Sequence, residues 1–192
     1  NNLNDLEQYI PKLSQLLKNH TFKHQLDFYF LDSQDDEIKN FIINVKNKES
    51  IDPEDLSLFI NSENSIFQCL QKNNNLVATT LISKIDKQDD IFYLEILDCE
   101  FGPDSNFGTF KVASDYFYNL LNEYSISYKA DFLNSDASSR NFYWYNFFNS
   151  SKDRDNFHAS WIDSDDSIEI KDLFSEQSKC FSSNSYIGYK VF

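Results

Sequence analysis

Ile91-Phe92-Tyr93-Leu94-Glu95-Ile96-Leu97-Asp98-Cys99-Glu100-Phe101 is the stretch on which the fold turns. Its apolar start is nearly continuous, the pattern of a strand buried on both faces and therefore central in its sheet. One residue breaks that pattern. Glu95 lies among apolar neighbours, where an unpaired carboxylate costs on the order of several kcal/mol unless it meets a partner or lines a cavity. Desolvation makes a carboxylate more basic, which suits a general base. If the strand instead starts at the rim of the sheet, Glu95 simply meets water or a lysine. Alternation puts Tyr93, Glu95, Leu97 and Cys99 on one face.

Working outward, residues 76–85 read as a neighbouring strand, with Lys87-Gln88-Asp89-Asp90 as the turn between. Residues 65–71 form a further strand, joined through the asparagine-rich turn 72–75. Nearer the start, 3–19 is a helix that Pro11 splits or restarts, and 25–31 is a strand. A second helix opens at Ser33 with Asp36 in capping-box spacing and carries Ile38, Phe41, Ile42 and Val45 on one side. A third opens at Asp52-Pro53-Glu54-Asp55. After the central strand, the loop 102–108 leads to an amphipathic helix over 109–124, a strand over 127–133 and an aromatic helix over 137–149. Strands at 157–163 and 185–192 follow, separated by an acidic and serine-rich excursion. The expected fold class is α/β of the α+β type. Residues 1–24 form a helical extension, and 25–192 form one domain with a mixed, mostly antiparallel central sheet flanked by helices.

Charge narrows the function. In 192 residues, 17 Lys+Arg against 31 Asp+Glu leave a net charge of −14. A nucleic-acid binder needs a basic face to displace counterions, and an anionic membrane repels such a surface, so neither partner is expected. No run approaches the length of a spanning helix. Cys69, Cys99 and Cys180 are odd in number and widely spaced, which fits free thiols and a cytoplasmic setting, although a signal peptide removed before residue 1 remains open. His20 and His24 have i, i+4 spacing but straddle the expected end of the first helix with no adjacent carboxylate, His158 is solitary on a strand, and the acidic run from Asp163 to Glu169 lacks the turn glycine and spacing of a calcium loop, so no metal is expected.

The order of elements from residue 25 onward resembles the GNAT superfamily of acyl-CoA-dependent N-acyltransferases. Three local matches carry the resemblance. Ser105-Asn106-Phe107-Gly108-Thr109-Phe110 stands where the family wraps the coenzyme A pyrophosphate; Gly108 matches, whereas Ser105 and Phe110 depart. Asp136-x-x-Ser139-x-x-x-Tyr143-x-x-x-Phe147-Phe148 resembles the family's tyrosine helix, with Tyr143 and Phe148 in place. Glu95 lies where some members carry a general base.

The resemblance implies an N-acetyltransferase moving an acetyl group from acetyl-CoA, as co-substrate, to a primary amine on a small molecule or protein. An acidic surface favours a cationic acceptor. Glu95 would deprotonate the amine and Tyr143 would protonate the departing thiolate. Cys99, Phe101, Asn106, Phe107, Gly108, Thr109, Phe110, Lys111, Asp136 and Arg140 would line the cofactor, which enters where the central strand and strand 127–133 splay apart. The alternative is a catalytically inactive GNAT-like binding or regulatory protein that has lost acetyl-CoA binding. A more distant third reading, from charge alone, is an acidic mimic of nucleic acid.

Overall fold

A computed structural model describes residues 3–19, 25–32, 41–46, 76–124, 126–136 and 138–191. Most of the helix expected from Ser33, the helix expected at Asp52, the strand 65–71 and the turn 72–75 lie outside the described residues. The described chain is mixed α+β, with seven strands and four helices. It packs as two compact units, residues 1–74 with 188–192 and residues 75–187, a division that does not coincide with the expected boundary at residue 24.

The first unit contains α1 (Leu3–Asn19), β1 (Gln25–Leu31) and β2 (Phe41–Lys46). Pro11 does not split α1, which runs through it with Leu13 and Leu17 buried one turn apart. Residues 41–46 correct the helical expectation: they form a strand antiparallel to β1, from Gln25↔Lys46 to Phe30↔Phe41. Ile42, Ile43 and Val45 are β-branched, and their stiff side chains suit a pleated surface better than a helical turn. Phe28, Phe30 and Phe41 pack ring to ring. The buried Asp27 is paired to Lys46 at 2.9 Å.

The second unit orders its strands β7-β4-β6-β5-β3. These are β3 (Val77–Ser83), β4 (Ile91–Phe101), β5 (Lys129–Asn134), β6 (Asn141–Phe148) and, as far as Ile187, β7 (Ser178–Lys190). Its helices are α2 (Phe107–Glu123), α3 (Ser151–Asp163) and α4 (Asp166–Gln177). The central position of β4 agrees with its apolar pattern. Three other expectations fail. Residues 141–148 are a strand, not a helix, because consecutive aromatic side chains on both sides of the backbone fill two faces of a sheet. Residues 157–163 are helical, as part of α3, whose Ser150 N-cap accepts from the Asp153 amide. The supposed solvated excursion is mostly α4 and the start of β7.

The aromatic strand decides the topology. β6 lies between β4 and β5 and is hydrogen-bonded antiparallel to both, with Trp144 opposite Leu97 on one side and Phe132 on the other. The gap that an acyltransferase would open between the central strand and strand 127–133 is therefore filled by a strand. The GNAT-like arrangement is corrected to an antiparallel ladder.

Cys99 and Cys180 also depart from expectation, since they form a disulfide across 81 residues. The bond from the Gly102 amide to the Gln177 carbonyl brings the start of β7 against the end of β4, and three residues further along each strand the two sulfurs meet. Sequence spacing carries no trace of this, because strand pairing alone creates the proximity. Among the described residues, no helix is long and apolar enough to cross a membrane.

Candidate functional site

The start of α2 is closed. Asn106 is its N-cap, and the Asn106 side-chain oxygen accepts from the Gly108 amide at 2.8 Å and the Thr109 amide at 3.3 Å. Thr109 reaches back to the Asn106 amide at 3.1 Å, and the Phe110 amide is bonded to the Asn106 carbonyl. Four of the donors that would hold a phosphate, the amides of Asn106, Gly108, Thr109 and Phe110, are thus satisfied within the turn itself. Gly108 serves that closure, because an added Cβ would lie 3.0 Å from the Asn106 oxygen. Phe110 is fully buried, with ring centroids 5.0 Å from Phe142, 5.2 Å from Trp144 and 5.4 Å from Phe174. Phe107 packs on Phe132 at 4.8 Å, and Phe101 stacks on Phe142 at 4.5 Å.

The other residues expected around a cofactor are equally committed. Lys111 binds both oxygens of Asp115 at 2.8 Å. Arg140 donates to the Phe101 carbonyl at 2.7 Å and meets Glu100 at 3.2 Å. Asp136 closes the β5–β6 connection, accepting from the Ser138 hydroxyl and amide, and these bonds hold its carboxyl below the usual range. Cys99 is consumed by the disulfide.

Strand alternation separates the expected catalytic pair. On β4, Tyr93, Glu95, Leu97 and Cys99 share the face that packs with α2, α3 and α4. Opposite them across the ladder stand Phe148, Asn146, Trp144 and Phe142. Tyr143 is opposite Asp98, so it points to the other face. Glu95 and Tyr143 cannot act on one reacting atom from opposite sides of a sheet.

What Glu95 does meet is His158, which lies on α3 and not on the strand expected over 157–163. The imidazole Nε2 lies 2.6 Å from Glu95 Oε1. The Glu95 side chain is 8% exposed and that of His158 39%, so the pair runs from the core to the surface. The hydrogen bond to Glu95 holds the His158 pKa above its ordinary value, against partial burial and the charge of Arg154. The capping spacing of Ser150 and Asp153 was the sequence signal that would have placed His158 on a helix. Arg154, one turn earlier on α3, lies over the Tyr93 ring at 5.3 Å and meets Asp155 at 3.5 Å.

Behind the pair is a second polar contact. Tyr128, just before β5 and fully buried, donates to Asn146 Oδ1 at 2.6 Å. Burial pushes its phenol well above the ordinary value, while the adjacent Trp144 indole acts the other way. That indole N–H is itself buried without a hydrogen bond. Phenylalanines surround the cluster: Tyr128 stacks on Phe157 at 4.7 Å and lies 5.5 Å from Phe148. Among the described residues, no group of three or more His, Cys, Asp or Glu side chains is placed to hold a metal. A shallow groove between α2 and α4, lined by Val112, Tyr116 and Leu173 among others, involves none of these groups.

No family model matches the chain, and no curated protein matches it in sequence. Among solved structures, a crystal structure described as a putative monooxygenase from Lactobacillus acidophilus NCFM is similar in fold. The TM-score is 0.50 and the identity 12%, over 98% of this chain and 89% of that one. That likeness and the strand order replace the acyltransferase resemblance: neither the transferase activity nor its inactive GNAT-like variant is retained.

Proposed function

We propose that this chain is an enzyme of proton-transfer chemistry, with Glu95 and His158 as its working pair and a small molecule bearing an acidic O–H or C–H as substrate. One observation carries the reading: a carboxylate buried on the central strand holds Nε2 of an imidazole whose ring reaches solvent. In the neutral imidazole, a carboxylate at Nε2 selects the tautomer with the proton on that nitrogen, which leaves the Nδ1 lone pair to accept a proton. Once Nδ1 is protonated, the same carboxylate stabilises the imidazolium. Glu95 thus orients and charges His158, and His158 is the base. The protein of similar fold carries a monooxygenase description, which makes ionisable aromatic and enolisable substrates the first class to examine, since their deprotonated forms are the electron-rich ones. The cross-strand disulfide supports an oxidising compartment over the cytoplasm.

The test is exchange of solvent deuterium into a panel of cyclic 1,3-diketones and polyhydroxylated aromatics, followed by NMR, with dioxygen uptake recorded in parallel. The wild-type chain should accelerate exchange for at least one member. His158→Gln should slow it about 10²–10⁴-fold, and Glu95→Gln should also slow it by disturbing the tautomer. No acceleration across the panel, or full activity in both variants, removes the reading.

A further inference from the structure

We propose that the groove between α2 and α4 is a docking surface for a basic amphipathic helix of a partner protein. The groove lies apart from Glu95 and His158, so the proposal stands whatever chemistry that pair performs. Thr109, Val112, Ala113 and Tyr116 line it from α2, and Leu173 and Gln177 from α4. The four α2 residues recur at i, i+3, i+4 and i+7, so one stripe of that helix forms the wall. Val112 and Tyr116 are large apolar side chains, one turn apart, at 56% and 57% exposure, and Leu173 is half-buried beside them. The core is already filled from α2 by Phe110, Ala113, Phe117 and Leu121. Val112 and Tyr116 therefore contribute little to the fold, and contiguous apolar surface left in water marks an interaction site. From Thr109 to Tyr116 the wall is about 10 Å long at about 1.5 Å per residue, two turns, the span that the anchors of one docked helix cover.

Charge decides the kind of helix. Asp115 sits next to Tyr116 on α2, and on α4 Glu169 and Glu176 stand one turn before and after Leu173, with Asp172 adjacent; all four acids are exposed. The lysines of these two helices leave the rim acidic: Lys111 is paired with Asp115 at 2.8 Å, and Lys171 lies over the Trp161 ring at 5.3 Å. A second copy suits this surface badly. A two-fold contact would set the patch against itself, acids against acids, in a chain of net charge −14. A helix with lysines or arginines flanking its apolar stripe gains both the groove and the attraction of its rim.

The probe is a synthetic helical peptide with leucines at i, i+3, i+4 and i+7 and lysines elsewhere, beside a twin carrying glutamates for lysines. Binding is read by fluorescence anisotropy at low and physiological salt. Wild type should bind the lysine peptide about tenfold or more tightly than the twin. Val112→Asp separates docking from mere attraction, because it adds an acid to the rim and a charge to the groove: general attraction would tighten, and docking must weaken. Weakening by about tenfold is expected, and Tyr116→Ala should weaken binding with no change of charge. Both positions are exposed, so the folded core is untouched by either variant. A lysine peptide that binds Val112→Asp as well as wild type, a glutamate twin that binds as tightly, or no binding at low salt overturns the proposal. So does concentration-dependent self-association that Val112→Asp abolishes, which would make a second copy the occupant.

Discussion

The first turn of α2 and the contact between β4 and α3 are two places where polar groups meet a phenylalanine-rich core, and they resolve that conflict differently. At α2, the amides of Asn106, Gly108, Thr109 and Phe110 are satisfied within the turn itself, and the Phe110 ring fills the space beyond. At Glu95, nothing local is available, since a strand offers its side chains no neighbour at helical spacing. The partner comes from 63 residues away, on a helix surface that reaches water. A polar demand met locally leaves no capacity for a ligand. One met by a titratable group at the surface leaves a proton that can move.

The largest expected effect breaks the closed region. Phe110→Ala removes a ring packed among Phe101, Phe142, Trp144 and Phe174, and should cost about 3–5 kcal/mol of stability. Urea unfolding reads this directly. A loss below about 1 kcal/mol would mean that the ring is a removable plug and the cleft can open. Asn106→Ala tests the same turn more gently. Loss of an N-cap costs about 0.5–2 kcal/mol, and hydrogen exchange at the Gly108 and Thr109 amides should rise while the body of α2 stays protected. Unchanged exchange at those amides would show that another group holds them.

These two sites also show how much the sequence could disclose. The near-continuous apolar run with a single acid identified β4, its central place and the oddity of Glu95, because burial on both faces leaves a direct compositional mark. The α2 helix was legible from its stripe for the same reason. The stretch Asn141–Phe148 was not: its aromatic residues satisfy a helical spacing and a strand spacing alike. That one inversion moved Tyr143 across the sheet and hid the strand that fills the supposed cleft. His158 and the Cys99–Cys180 bond were invisible for another reason. Each depends on a pairing between distant segments, β4 with α3 and β4 with β7, which no local pattern records.

The smallest expected effect sharpens the open region, and its sign can be worked out. His158 has its pKa raised in the folded chain, first by its bond to Glu95, above the value of about 6.5 for a free imidazole. A group whose folded pKa is raised lends stability that is fully present below the unfolded pKa and fades as pH climbs through the folded one. His158→Gln should therefore be less stable than wild type below about pH 6, by an amount on the scale of an exposed ion pair, about 0.2–1 kcal/mol, because the imidazole is half in water. The deficit should shrink as pH rises past the folded value, where wild-type His158 is neutral and a glutamine amide replaces little more than a hydrogen bond. Urea midpoints between pH 5 and 9 would trace this. A deficit that grows with pH would mean that His158 is bound in its neutral form, and that Glu95 holds it as a structural acceptor with no proton to give.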